Sequence, residues 1–327
     1  MSLVKYAAGR IIQMIVTLAV IVPLTFLLFR AVPGDPSAAV IGPDLDPSVA
    51  AELRQRYGTD QPVVVQFFKY VGNLVHGDFG LSFEYKEPVR DILFNRLFNT
   101  SVLVVPAIVA ALVVGTTLGA IAGVQRRGSR LDGVLRNGAF LTKSAPVFWG
   151  AAMALLVFSY QLGWAPAIGM RSPGQATGSD GLSLVLSTDF LAHLVLPLLV
   201  MTVFLMPEPL LTMRTAMKDI LHEDFVELGR AAGLPRYRIV FRHAARNALL
   251  PVVTLLPALT GVIIGGQVII ETVFSWPGMG RAIVEAVNNF DYPVMQGVFL
   301  ITAAVAIVVN AVIDVAYAYL DPRVRLT

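Results

Sequence analysis

The chain has 327 residues, 56% of them hydrophobic and only 14% charged, with a formal net charge of +3 and no cysteine. Soluble globular domains carry about 25% charged residues, so the balance points to a membrane protein. The lack of cysteine excludes a disulfide framework and any thiolate metal or redox centre. With so small a net charge, the placement of the basic residues is more informative than their sum.

Lys5 and Arg10 precede an apolar run from Ile11 to Phe29. As a helix this run is about 28 Å long, close to the roughly 30 Å of a bilayer core. It leads into Arg30-Ala31-Val32-Pro33-Gly34-Asp35-Pro36, which offers no cleavage site, so a retained membrane helix is expected rather than a signal peptide. Residues 30 to 100 form a long connection of mixed charge, read as a small folded lid. Asp46-Pro47 starts one expected helix, through Tyr57, and Val63 to Leu74 forms a second that ends near Gly77.

Further apolar stretches at about 101–123, 138–161, 191–213, 248–270 and 295–318 bring the expected crossings to six. Gly115, Gly119 and Gly123 share one face of the second crossing, and Gly261 and Gly265 repeat the spacing in the fifth. Small residues so placed let helix backbones approach closely in lipid. Lys143 and Glu208 lie just inside the third and fourth crossings at similar depth, and their opposite signs suggest a pair. Asp314, inside the last crossing, is expected to support a helix contact.

Basic residues crowd into alternate connections: Lys5 and Arg10, then Arg126, Arg127, Arg130 and Arg136, then seven from Arg214 to Arg246, then Arg323 and Arg325. The other short connections carry Arg171 and Arg281 alone. By the positive-inside rule both termini and the stretch 214–247 are cytoplasmic.

That stretch is the long polar interruption of the chain. Glu223, Asp224, Phe225, Glu227 and Arg230 begin a short helix, Ala231-Ala232-Gly233 ends it with a left-handed cap, and Leu234-Pro235-Arg236 opens a second short helix. The wording Glu-Asp-Phe-Val, Arg-Ala-Ala-Gly-Leu and Arg-His-Ala-Ala-Arg-Asn-Ala-Leu-Leu-Pro resembles the EAA loop of ABC-importer permeases of the dipeptide/oligopeptide/nickel branch. The usual Glu-Ala-Ala positions here read Glu227-Leu228-Gly229.

A second resemblance lies after the fifth crossing. The segment Glu271 to Arg281, including Phe274, Trp276, Pro277, Gly278 and Gly280, is similar to the external scoop of peptide permeases, as is Asp291-Tyr292-Pro293. Phe290 stands where the family usually has a basic residue, and Ala282 to Asn289 can form a short surface helix. The phrases Pro33-Gly34-Asp35-Pro36, Asp60-Gln61-Pro62 and Gly77-Asp78-Phe79-Gly80-Leu81-Ser82 and the tail Leu320 to Arg325 also match.

The resemblance implies an all-α membrane protein with the type I ABC-importer permease fold and six transmembrane helices. Its expected parts are an N-terminus and first helix (1–29), an external loop domain (30–100), a core (101–320) holding the cytoplasmic coupling loop 214–247, and a cytoplasmic tail (321–327). It further implies a bacterial or archaeal cytoplasmic membrane, a second related permease, two ATPase subunits gripping the hairpin, and an extracytoplasmic solute-binding protein facing the scoop. ATP and Mg would be held by those ATPases and no cofactor by this chain. The solute implied is a di- or oligopeptide, with nickel or another small solute as the alternative.

The residues themselves offer no catalytic site. The nearest phosphate-loop trace, Gly138 to Ser144, lacks a glycine before Lys143. The histidines at 76, 193, 222 and 243 have no metal-ligand spacing, there is no serine nucleophile elbow, and the basic hairpin is explained by topology rather than nucleic acid. An ion-gradient transporter would need mid-depth ionisable groups and inverted repeats, and a membrane-anchored sensor or scaffold would need a signalling domain.

Overall fold

A computed structural model describes residues 3–31, 61–126, 128–174 and 185–320. The expected helix at 46–57, the phrases at 33–36 and Asp60, and the tail from Asp321 lie outside them. All the regular elements among the described residues are helices, with one isolated bridge between Leu81 and Pro88. The chain falls into two compact units, Met1–Thr100 with Ile263–Thr272 and Pro277–Thr327, and Ser101–Val262 with Val273–Trp276.

In the first unit, α1 (Leu3–Ala31) and α13 (Tyr292–Leu320) run side by side and antiparallel. Arg10 pairs with Asp314 at 2.9 Å near one end, and Phe29 stacks on Phe299 at 5.6 Å near the other. The expected role of Asp314 in a helix contact is thus met by a cation on the neighbouring helix. α2 (Val63–Val75) leans on α1 through Phe67 and Tyr70, whose rings lie 5.3 and 5.6 Å from Phe26. Phe29, Val89, Leu93, Met279, Ala282, Tyr292, Met295 and Val298 form the core of this unit. The short helix expected at 282–289 is α12 (Met279–Asn288); it starts earlier and sinks Met279, Ala282 and Ala286 into that core instead of lying free on the surface.

α3 (Val89–Val124) has 36 residues, about 54 Å, and so begins well before the crossing expected at 101. In the second unit it meets α7 (Pro207–Ile220), which follows α6 (Thr188–Leu205) after a break at Met206. A Cβ on Gly115 would come within 2.8 Å of the Met206 carbonyl oxygen and the Pro209 ring, and Gly119 and Gly123 meet Met213 and Met217 as closely. The glycine stripe is a helix-packing face, as its spacing predicts. Gly261 departs from that expectation: a Cβ there would meet nothing within 4 Å.

The third crossing, expected as one helix over 138–161, is two. α4 (Arg130–Ser144) and α5 (Val147–Ala154, running on as a π-helix over Leu155–Gln161) meet at 103°. Ala145 is held extended, ψ 137°, because the ring of Pro146 disfavours a helical residue before it. The fifth, expected over 248–270, is divided between α10 (Ala245–Val253) and α11 (Leu256–Val273) at Thr254-Leu255. Four described helices are long and apolar enough to cross a bilayer, five if the bent pair counts as one.

Candidate functional site

The central hairpin starts on α8 (Asp224–Ala231), whose apolar positions are few and unevenly placed. Val226 is its single buried side chain, while Phe225 and Leu228 remain 42% and 70% exposed. Glu223, Asp224, Glu227, Arg230, Ala231 and Ala232 are exposed beside them. Gly233 takes φ +74°, and its N–H donates to Arg230 O at 3.0 Å while the Leu234 N–H donates to Gly229 O at 3.0 Å. This left-handed cap satisfies the last carbonyls of the helix, and Leu234 folds back over Gly229.

Pro235 then caps α9 (Arg236–Arg238), which continues without a break through a π-helical turn, Ile239–Ala244, into α10. The second helix of the hairpin is therefore not short; it is the front end of the next expected crossing. Met213, Met217, Val240, Ala244, Ala248 and Val252 form one buried cluster beneath it. α8 is thus hung between two helices that are packed on each other.

Asp132, in the first turn of α4, fixes the base of this hairpin. Its carboxylate accepts from Arg214 Nε at 2.5 Å and Nη2 at 2.9 Å, and from Lys218 Nζ at 2.7 Å. The hydrogen bond from Arg214 above all, with Lys218 adding to it, holds the carboxyl far below the usual carboxylate range despite its burial. Sequence reading passed over Asp132 and counted Arg214 and Lys218 only as topology markers. The available signal was a lone acid among Arg126, Arg127, Arg130 and Arg136.

Lys143, at the end of α4, and Glu208, at the start of α7, are brought together with Nζ and Oε2 2.5 Å apart. Their side chains stay 56% and 46% exposed. Each sits at a proline-marked helix break, which is why α4 can end where α7 begins.

The scoop is held by two buried carboxylates. Glu271, with no exposed surface, accepts from the Thr100 hydroxyl at 2.7 Å and the Arg281 N–H at 3.0 Å, and so caps the start of α12 from another helix. A Cβ on Gly278 would collide with that carboxylate, and one on Gly280 would lie 2.6 Å from Val268 Cα. Asp291, 1% exposed, accepts from Ser82 Oγ at 2.5 Å and Glu84 N–H at 3.2 Å. These donors replace the missing cation at Phe290, which takes φ +52° and turns outward, 56% exposed.

The side chains expected to face a binding protein are mostly inside. Phe274, Trp276 and Tyr292 are 2%, 0% and 7% exposed, and Pro277 and Pro293 are half-buried. In the second unit, Trp276 packs on Phe190 at 5.8 Å and the Phe274 carbonyl accepts from the Gly169 N–H. What the scoop leaves outside is Thr272 and the run Val287, Asn288, Asn289 and Phe290. Glu285 on α12 is pushed up by burial, but Tyr85, Arg96 and Arg281, at 2.8, 3.0 and 2.7 Å, outweigh this and hold it below its ordinary value.

Residues 115–326 match the family described as binding-protein-dependent transport system inner membrane component, and residues 3–104 match the N-terminal family of such membrane components. A protein of Brucella suis biovar 1 (strain 1330), provisionally named a peptide permease, is 37% identical over 99% of this chain and 100% of its own length. The dipeptide transport system permease protein of Alkalihalophilus pseudofirmus is 32% identical over the same shares. The glutathione transport system permease protein of Escherichia coli K12 is 34% identical over 99% of both chains.

Proposed function

Because this chain belongs to the family of binding-protein-dependent transport system inner membrane components, the permeases of ABC importers, we propose that it passes di- or oligopeptides across a bacterial or archaeal cytoplasmic membrane. It does so together with a second permease of the same kind, two ATPases that bind ATP and Mg on the cytoplasmic side, and an external solute-binding protein. The full-length likeness to proteins named for peptide, dipeptide and glutathione transport supports the solute class. Six crossings, with α6 and α7 together forming the fourth and α10 and α11 the fifth, put both termini and the hairpin in the cytoplasm and agree with the placement of the basic residues.

The observation that carries this reading is α8. A helix with one buried residue gains little from its own packing, and its exposed Phe225 and Leu228, ringed by Glu223, Asp224 and Glu227, form a docking face. Closure of the ATPases on ATP would push α8, and the joint cluster under α7 and α10 would pass the push into the spans. Peptide would enter on the other side at the scoop, where Val287 and Phe290 rather than Trp276 would meet the binding protein.

Gly233→Pro tests the coupling. Proline cannot adopt φ +74° and removes the capping N–H. The variant should insert in the membrane at normal abundance, and peptide uptake should fall to background. Uptake at the wild-type rate would remove the hairpin from the mechanism.

A further inference from the structure

α7 has two unlike faces. Pro209, Leu210, Met213 and Met217 are buried on the side that the glycine stripe of α3 approaches. On the opposite side, at i, i+4, i+7 and i+11, come Glu208, Thr212, Thr215 and Asp219, all within about 60° of one another at 100° per residue. None of the four is buried, and the last three border an open concavity of about 440 Å³. Lys143 heads the stripe through its pair with Glu208.

The depth of this stripe decides what it faces. α7 lies against the stretch Gly115 to Gly123 at the end of α3, a helix apolar enough to cross a bilayer. Glu208, level with Gly115, stands about 13 Å back from the end of that helix at Val124. An exposed charge in hydrocarbon costs a few kcal/mol, so the Glu208 end of this side is not turned to lipid, while Asp219, two residues beyond the Met217 that meets Gly123, stands at the end of α3. An exposed stripe that lipid would accept is apolar, as are Val105, Val109 and Val113 of α3, which are 53%, 54% and 60% exposed.

We propose that Glu208, Thr212, Thr215 and Asp219, headed by Lys143, line the cytoplasmic end of the water-filled path of solute through this permease. The proposal rests on the transport reading above and adds where the path runs and what it offers. Thr215 gives its proton to the Leu211 carbonyl at 3.0 Å and keeps its oxygen lone pairs for other donors. The Asp219 carboxylate accepts no hydrogen bond among the described residues. Two carboxylates against one ammonium leave the stripe acidic and rich in acceptors, which suits the backbone N–H groups and the ammonium end of a peptide.

The absence of cysteine makes a direct test available. Thr212→Cys and Thr215→Cys each place a single thiol in this chain, and Val109→Cys provides a comparison on the exposed apolar stripe of α3. In proteoliposomes holding the whole importer, labelling of this chain by a cationic trimethylammonium-ethyl and an anionic sulfonato-ethyl methanethiosulfonate is followed by mass. Both stripe thiols should react and Val109→Cys should resist. The cationic reagent should react about fivefold faster than the anionic one after correction against a free thiol, and Asp219→Asn should bring that ratio towards one. Stripe thiols that stay unlabelled both without nucleotide and with ATP trapped, or that react equally with both reagents, would overturn the proposal. Failure to import tri-alanine would sink the peptide reading alone, since wetness and charge of the stripe are measured without any solute.

Discussion

The hairpin and the scoop are both elbows made of acids, glycines and a proline, and they use their carboxylates in opposite ways. Glu223, Asp224 and Glu227 of the hairpin are exposed, whereas Glu271 and Asp291 of the scoop are 0% and 1% exposed and surrounded by hydroxyl and N–H donors. Burial makes the difference. A buried carboxylate is tolerated only when donors surround it, and those donors in turn depend on it; an exposed one adds almost nothing to stability. One elbow spends its acids on its own shape, and the other keeps them for a partner.

Glu271→Ala should break the comparison most severely. It strands the Thr100 hydroxyl and the N–H at the start of α12, and leaves a hole beneath Gly278. The expected cost is roughly 3 kcal/mol or more, read as a large fall in the thermal unfolding midpoint of the purified chain, with little folded protein recovered at 37 °C.

Asp132→Asn should come next. It leaves Arg214 and Lys218 without a counter-charge at the root of the hairpin and should cost about 3 kcal/mol by the same measurement. The pH dependence has a definite sign. A carboxylate whose folded pKa is depressed contributes stability above its unfolded pKa, near 4, and loses it only as pH falls through the lower folded value. The wild-type contribution of Asp132 should therefore be flat from pH 5 to pH 8. A midpoint gap between Asp132→Asn and wild type that closes within that range would show that the pair is not formed as described.

Glu223→Gln with Glu227→Gln should have the smallest effect on the fold, within about 0.5 kcal/mol of wild type. Co-purification of the ATPase should nonetheless weaken. A midpoint shift as large as that of Asp132→Asn would place these acids in the fold and erase the contrast between the two elbows.

Local chemistry made much of this legible in advance. The left-handed turn at Gly233, the helix from Val63, and the close packing at Gly115, Gly119 and Gly123 each follow from a residue type and a spacing. The bend after α4 was written in Ser144-Ala145-Pro146 and was outweighed by hydropathy, because an apolar run says nothing about whether its helix is straight. Pro251, inside α10, and Pro257, in the first turn of α11, flank the break between those two helices. The burial of Trp276 and Phe274 was not legible in advance, because such side chains look like partner anchors until the packing around them is in place.

By itself, the sequence determined that this chain is a helical membrane permease with a polar elbow at 214–247, since hydropathy, turn-forming residues and a long ordered motif are properties of neighbouring residues. Only the tertiary structure decided which charges serve the fold and which are offered outward. Asp132 finds Arg214 across 82 positions, Thr100 finds Glu271 across 171, and Ser82 finds Asp291 across 209. A carboxylate is stabilised or left free by the donors packed around it, and those are chosen by the folded chain rather than by its order.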